Sequence, residues 1–387
     1  MSTTYLTEED VALLDGSIRI MQNMYERLIE LPVEEAKRDL SELDARMQEK
    51  YRRKDRKDTR YFDIVAEDAI SIGDGFSGHL DLFQKVLGRS GVIITEECGR
   101  VPRDLRIEHD TPVIISDPVD GSAYLDDVIN RHYFPAEKNV KMKDIFKREM
   151  EEVPLNKIRR HACNSSVTLI RDNMIKYTIV LNLFTGEIYL GMPEGVFMGD
   201  VSSIERARDI NIPVEFSDKE SLVMLCYTRK GKYEQNRAGT HLRFFPLHPA
   251  SEAKIGPIGP LRFTYLVRYG DDESEIGVVA HNGEKIQEIL PNIAIALFSR
   301  GKLRAYKLFC DPEYTQQRAG KEMTPNLANS LYSDGLIVNT GVKSTFLNNY
   351  DYPSEFRDTT VIISEKNDAA LTMLTGMVER EYATRIV

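Results

Sequence analysis

Cysteine and histidine are scarce in this sequence, four and seven among 387 residues. Cys98, Cys163, Cys226 and Cys310 stand far apart, with no CxxC pair and no histidine beside them at zinc-ligand spacing. A zinc site is therefore disfavoured, and the thiols read as reduced and mostly structural. His241, His248 and His281 are isolated and fit core or surface roles better than catalysis. No apolar run reaches the roughly eighteen residues that a spanning helix needs. The start, MSTTYLTEEDVALLDG, is acidic and lacks the basic opening and apolar centre of a secretory signal, so a cytoplasmic location is expected. Positive charge is in deficit: 51 Lys and Arg face 61 Asp and Glu, for a net charge of −10. Neither nucleic acid nor an anionic membrane is an expected partner of such a surface. Acidic proteins that bind phosphates usually do so through metals. No internal repeat or low-complexity tract is present.

What remains is an ordinary globular composition, 42% hydrophobic and 29% charged, on a chain longer than one core usually supports. From Thr7 to about Met47, Val11, Leu14, Ile18, Met21, Tyr25, Leu28 and Ile29 recur at three and four, which predicts an amphipathic helix with Thr7 as its N-cap. YRRKDRKDTRY, Tyr51 to Tyr61, reads as a solvated loop. GVIITEE and TPVIISDPVDGS are β-branched runs that break into acidic and turn-forming residues. NSSVTLIRD, MIKYTIVLNLFTGEIYLGM and SLVMLCYT read as strands, and KIQEILPNIAIALFSRGKL and PNLANSLYSDGLIVNTG as helices. The fold class is α/β, of the layered α+β kind. The polar stretch after Asp200 suggests two halves, 1–200 and 201–387.

Four segments concentrate acid: FDIVAED (Asp63, Glu67, Asp68), TEEC (Glu96, Glu97), DPVDGS (Asp117, Asp120) and KEMTP (Glu322). Carboxylates converging without histidine or thiolate suit Mg2+, which prefers hard oxygen ligands and keeps several waters. In DPVDGS, proline fixes one backbone angle and glycine permits an unusual one, so both aspartates can turn toward one ion while a backbone carbonyl joins them. If a helix starts there, the Gly121 and Ser122 amides can receive phosphate oxygens. DPVDGS alone is equally an ordinary capped turn, with Ser122 as N-cap, and TEE alone a solvated acidic pair. The run TRKGKYEQNR (Arg229, Lys230, Lys232, Arg237) fits a solvated loop or a second phosphate subsite, and Tyr227, Tyr265 and Tyr306 fit packing or a sugar pocket.

DIVAED, VIITEEC and VIISDPVDGS, in this order and spacing, resemble the metal-site motifs of fructose bisphosphatases, within the lithium-sensitive superfamily that includes inositol monophosphatases. Glu322, Pro325 and Gly335 reproduce a further family pattern, and Arg318 matches a family arginine close to the phosphate. Lys321, Met323 and Gln316 depart from it, Gln316 standing where the bisphosphatases carry a substrate-binding lysine. A charged insertion at about 128–163, with His132, Tyr133, Lys138 and Arg159, has no family counterpart and suggests a lid.

The resemblance implies a sugar-phosphatase fold with alternating helix and sheet layers in two halves, the site between them. It implies two or three Mg2+ ions, with Mn2+ as substitute, held by Glu96, Glu97, Asp117, Asp120, Glu322 and the Val119 carbonyl. Asp68, with Glu97, would take the proton of the attacking water, Asp63 would order the loop or a third ion, and Gly121, Ser122 and Arg318 would hold phosphate. Arg318 in a surface ion pair is the competing reading. The implied activity is hydrolysis of a phosphate monoester of a small sugar-like metabolite, fructose 1,6-bisphosphate included, by a homo-oligomer. An inositol-phosphate or 3′-phosphonucleotide phosphatase, a non-catalytic sensor of a phosphorylated metabolite and a structural calcium protein are the alternatives.

Overall fold

The computed structural model describes residues 6–43, 45–51, 59–71, 78–95, 97–108, 110–161, 163–172, 174–215, 224–227, 254–255, 278–282, 286–300, 303–309 and 359–365. The first helix, α1 (Glu8–Glu30), starts as the sequence predicts: the Thr7 hydroxyl accepts from the Asp10 amide at 3.1 Å and the Asp10 carboxylate returns a bond to the Thr7 amide at 3.0 Å. It stops well short of Met47. Leu31 is extended, as residues preceding proline tend to be, and Pro32 ends the run. The shorter helices α2 (Val33–Ala36) and α3 (Ala45–Tyr51) replace the expected continuation.

Beyond them lie α4 (Tyr61–Ser71), α5 (His79–Leu87), β1 (Val92–Thr95), β2 (Gly99–Val101), β3 (Val113–Asp120) and α6 (Ser122–His132). Next come α7 (Met142–Glu152), α8 (Leu155–His161), β4 (Asn164–Arg171), β5 (Met174–Asn182), β6 (Glu187–Met192), β7 (Gly195–Asp200) and β8 (Ile212–Pro213). These eight strands form one sheet in the order β2-β1-β3-β4-β5-β6-β7-β8. β1 and β3 run parallel and every other neighbouring pair is antiparallel. A second, five-stranded sheet joins β9 (Met224–Tyr227), β10 (Lys254–Ile255), β11 (Val278–Asn282), β12 (Leu303–Phe309) and β13 (Thr359–Glu365) in the order β10-β9-β11-β13-β12. Among the described residues the remaining α-helix is α9 (Ile286–Leu297).

Alternation on β5 reveals the layering, because successive strand residues face opposite ways. Tyr177 meets Ser17 of α1 at 2.7 Å, and α4 and α5 pack beside α1 on that face. Thr178 points away and bonds Thr168 of β4 at 2.7 Å. A Cβ on Gly191, its register partner on β6, would meet Thr178, Phe298 and Ile295, so α9 covers this second face. α9 also lies against β12 of the second sheet. The first sheet thus has α1, α4 and α5 on one side and α9, from the C-terminal half of the chain, on the other.

The stretch read as a lid is largely core. Lys141 bridges to Pro32, the Val33 amide bonds the Val140 carbonyl at 3.0 Å, and the Met142 amide bonds the Leu31 carbonyl at 3.0 Å. Met142, Ile145, Phe146 and Ile158 are buried in the same cluster as the sheet, and the Phe146 ring packs on Phe184 with centroids 4.4 Å apart. Its polar residues are engaged too: His132 bonds Glu149, Tyr133 donates to Glu34, and Arg159 pairs with Glu187. Among the described residues no helix is long and apolar enough to cross a membrane.

Candidate active site at the ends of the parallel strands

Because β1 and β3 are parallel, their carboxyl ends fall on one edge of the sheet, with Thr95 opposite Ser116. Asp117 follows Ser116 directly and Glu97 lies two residues past Thr95, so two sequence-distant acids leave the sheet at the same end. Asp117 and Asp120 pose a geometric problem, since residues three apart on a regular strand face opposite sides. A β-bulge solves it. Asp117 pairs with Ser166 but Asp120 pairs with Asn164, so three steps on β3 span two on β4, and the extra residue resets the alternation. Asn164 Nδ2 donates to Asp120 Oδ2 at 2.9 Å.

Immediately afterwards Gly121 takes φ 90°, ψ 23°, a left-handed conformation that glycine adopts without steric cost, and α6 begins. The Gly121 carbonyl accepts from the Tyr124 and Leu125 amides at 2.9 and 3.2 Å, which leaves the preceding amides, Ser122 included, outside the helical ladder. Ser122 is the first helical residue and Gly121 is the N-cap, so the capping role expected of Ser122 belongs to the glycine. Buried Cys163 donates its thiol to the Gly121 carbonyl at 3.0 Å. Burial, with the Asp120 and Asp63 charges adding, pushes that thiol well above its ordinary range and keeps it protonated.

The third contribution comes from a helix rather than a strand. YFDIVAEDAIS forms α4, and Asp63, Glu67 and Asp68 are all buried on it. The Asp63 carboxylate accepts from the Arg60 amide at 3.0 Å, while the Arg60 side chain pairs with Asp126 at 3.0 Å and with Asp39. Glu67, with no exposed surface, accepts from Ser71 at 2.5 Å and Thr95 at 2.8 Å. Burial pushes it up to about 7, partly opposed by those hydroxyls and reinforced by Glu97. Asp68 accepts from the Tyr51 hydroxyl, and Glu97 from Thr59 at 2.9 Å. Burial, with Cys98 and Asp68 nearby, raises Tyr51 far enough that it remains a donor.

Glu97, Asp117, Val119, Asp120, Gly121 and Ser122 thus stand at or just past the carboxyl ends of β1 and β3, and Asp63 and Asp68 stand on α4, which packs against β3. Glu96, Arg318 and Glu322 lie outside the described residues, as do Arg229, Lys230, Lys232, Arg237, His241, His248, Tyr265, Gln316, Lys321 and Met323. His281 stands on β11, and Tyr227 and Tyr306 on β9 and β12. Among the described residues no three acidic, histidine or cysteine side chains already converge on one point as metal ligands. The donors present nevertheless fit magnesium: carboxylates and a backbone carbonyl, hard oxygens throughout, with Asp117 and Glu97 only 2% and 6% exposed. Buried carboxylates brought near one another repel unless a cation offsets them.

Thr59, Thr95, Tyr51, Cys163 and Asn164 were not legible as site residues. Glu67 had a signal: it lies four residues from Asp63 and beside Asp68 on a helix whose remaining positions are largely apolar, and a buried acid needs partners.

No protein-family model matches the chain, and no curated protein matches it. Among solved structures it is similar to the extragenic suppressor protein suhB from Bartonella henselae, at 10% identity over 96% of this chain and 98% of that one, with a TM-score of 0.48. It is also similar to an inositol monophosphatase from Anabaena (Nostoc) sp. PCC 7120, at 8% identity, 97% and 95% coverage and a TM-score of 0.47. CysQ from Bacteroides thetaiotaomicron, a bacterial member of the inositol monophosphatase family, matches at 12% identity, 94% and 99% coverage and a TM-score of 0.40. At these scores the similarities are loose.

Proposed function

We propose that this chain is a magnesium-dependent phosphatase that hydrolyses a phosphate monoester of a small, sugar-like metabolite. The observation that carries this reading is the β3–α6 junction. A bulge brings Asp117 and Asp120 to one side, and a left-handed glycine then opens a helix whose first amides are unclaimed. Anion-binding and cation-binding groups are thereby adjacent in six residues.

Glu97, Asp117, Asp120 and the Val119 carbonyl would hold the ions, together with Glu96 and Glu322, and Mn2+ would substitute for Mg2+. Bound magnesium supplies Lewis acidity and lowers the pKa of water. The Ser122 amide and hydroxyl bind phosphate oxygens at the positive end of α6. Arg318 would add a bidentate contact. Asp68 accepts the proton of the attacking water on its carboxylate, whose orientation the Tyr51 hydroxyl holds, and Glu97, tethered by Thr59, assists. Asp63 fixes the chain leading into α4 through the Arg60 amide.

Phosphate release from sugar phosphates, sugar bisphosphates, inositol phosphates and 3′-phosphonucleotides, with and without magnesium and with lithium in one arm, tests the reading. Magnesium-dependent release that disappears in Asp120→Asn is the expected result, with the best substrate deciding the leaving group. Release that needs no metal, or that survives in Asp120→Asn, overturns it.

A further inference from the structure

Behind the bulge, three polar residues stand in one row across three strands. Asp120 on β3 is the register partner of Asn164 on β4, and Asn164 is the register partner of Asn182 on β5. Register partners share a face of the sheet, so the three side chains project the same way. Asn164 is 2% exposed and Asn182 fully buried. The Asn182 Oδ1 is already committed, accepting the Phe184 and Thr185 amides at 2.9 and 3.2 Å, so its Nδ2 remains as a donor. The Asn164 Nδ2 is committed as well, to Asp120 at 2.9 Å, so its Oδ1 remains as an acceptor. Those two remaining atoms, an amide donor and an amide acceptor on adjacent partners, are both buried and make no hydrogen bond among the described residues.

Both amide orientations follow from this wiring. Turning Asn182 over would face its NH2 toward two backbone N–H groups, and turning Asn164 over would withdraw the only kind of atom that a carboxylate can accept from. An aspartate in place of Asn164 would have nothing to donate and would set a second charge against Asp120. A leucine would leave the Asp120 oxygen without this bond.

We infer that Asn164, the register partner of Asn182, is a positioning residue that holds the Asp120 carboxylate in the orientation needed to ligate the catalytic metal. This rests on the reading of the site as a metal centre. Outer partners that orient a ligating carboxylate typically govern metal affinity by roughly ten- to a hundredfold.

The test is calorimetric titration of the full, metal-free chain with Mn2+, alongside thermal melts in EDTA. The variants are Asp120→Asn, Asn164→Ala, the isosteric Asn164→Asp and Asn182→Ala. Asn164→Ala and Asn164→Asp should each bind Mn2+ at least about tenfold more weakly than the unaltered chain, and Asn182→Ala by a smaller factor. A purely structural residue would lower the EDTA melting temperature and leave Mn2+ affinity where it was, and that outcome overturns the inference, as does tighter binding by Asn164→Asp. Should Asn164→Ala fail to fold, Asn164→Asp, with the same shape, decides alone. If the unaltered chain takes up no Mn2+, the metal-centre reading fails as well. If it binds Mn2+, and Asp120→Asn abolishes binding while the Asn164 variants keep it, only the role of Asn164 falls.

Discussion

Glu67→Gln keeps the shape of a buried side chain on α4 and removes a titration that should be visible in the pH dependence of stability. Burial holds the Glu67 carboxyl at about 7, against 4.5 for the free group. The native state therefore keeps a proton that the unfolded chain releases. This contribution is complete below the unfolded value and is lost as pH rises through the folded one. His79, also fully buried, has the opposite sign. Burial lowers it to about 4 from 6.5, so its contribution fades as pH falls below the unfolded value. Its bonds agree with a neutral ring: Nδ1 donates to the Ile70 carbonyl at 2.8 Å, and Nε2 accepts from Ser17 at 3.0 Å, which accepts in turn from Tyr177. Between about pH 7.5 and 5.5, linkage gives a gain on the order of 1–2 kcal/mol from Glu67 and a comparable loss from His79. The two nearly cancel in the unaltered chain. In Glu67→Gln only the loss remains. Urea unfolding in EDTA across this range should show the stability gap between the two proteins shifting by roughly 1–2 kcal/mol in favour of the unaltered chain as pH falls. A gap that does not change with pH would refute the reasoning, because it would mean that Glu67 is ionised in the native protein.

Gly121→Ala places a Cβ on a residue with φ 90°, a strain of roughly 1–3 kcal/mol that the chain can relieve only by moving the first turn of α6. Phosphate release should fall by at least about tenfold while the circular dichroism spectrum stays the same. Glu149→Ala removes a fully buried carboxylate that accepts from Tyr124 at 2.8 Å, Arg131 at 2.9 Å and His132 at 2.6 Å. Arg131 can regain water, so the loss should sit at the lower end for a broken buried pair, about 3 kcal/mol by urea unfolding. Glu149→Gln, which can still accept hydrogen bonds, should cost less.

Strands were the most legible elements. The apolar runs around Val167 and Ile179 emerge as β4 and β5, strands buried on both faces, which sequence displays as short, largely apolar runs bounded by turn residues. Helix α1 was legible at its start, where Thr7 and Asp10 act locally, and not at its end, where Leu31 and Pro32 interrupt a hydrophobic periodicity that continues through packing of the later short helices. The acids of DPVDGS were legible because turn residues and acids cluster in one string. The hydrogen-bonded surroundings were not. Thr59 reaches Glu97 from 38 residues away, Asn164 reaches Asp120 from 44, and Tyr51 reaches Asp68 from another helix. Such pairings are made by topology, and a single sequence carries no trace of them. Glu67 lies between the two cases, visible as one of three acids on a largely apolar helix but silent about Thr95 until β1 is placed beside α4.

The bulge on β3 makes the site depend on counting. Odd and even separations along a strand decide inside from outside, and at a separation of three Asp117 and Asp120 keep company because the bulge absorbs the odd step. Exchanging Pro118 or Val119 for another residue leaves this parity untouched. Removing either one makes the separation even, satisfies the alternation without any bulge, and erases the kink from which Gly121 launches α6. The length of this turn is therefore constrained more tightly than its composition, and a one-residue deletion there would do more harm to the site than most substitutions at the same positions.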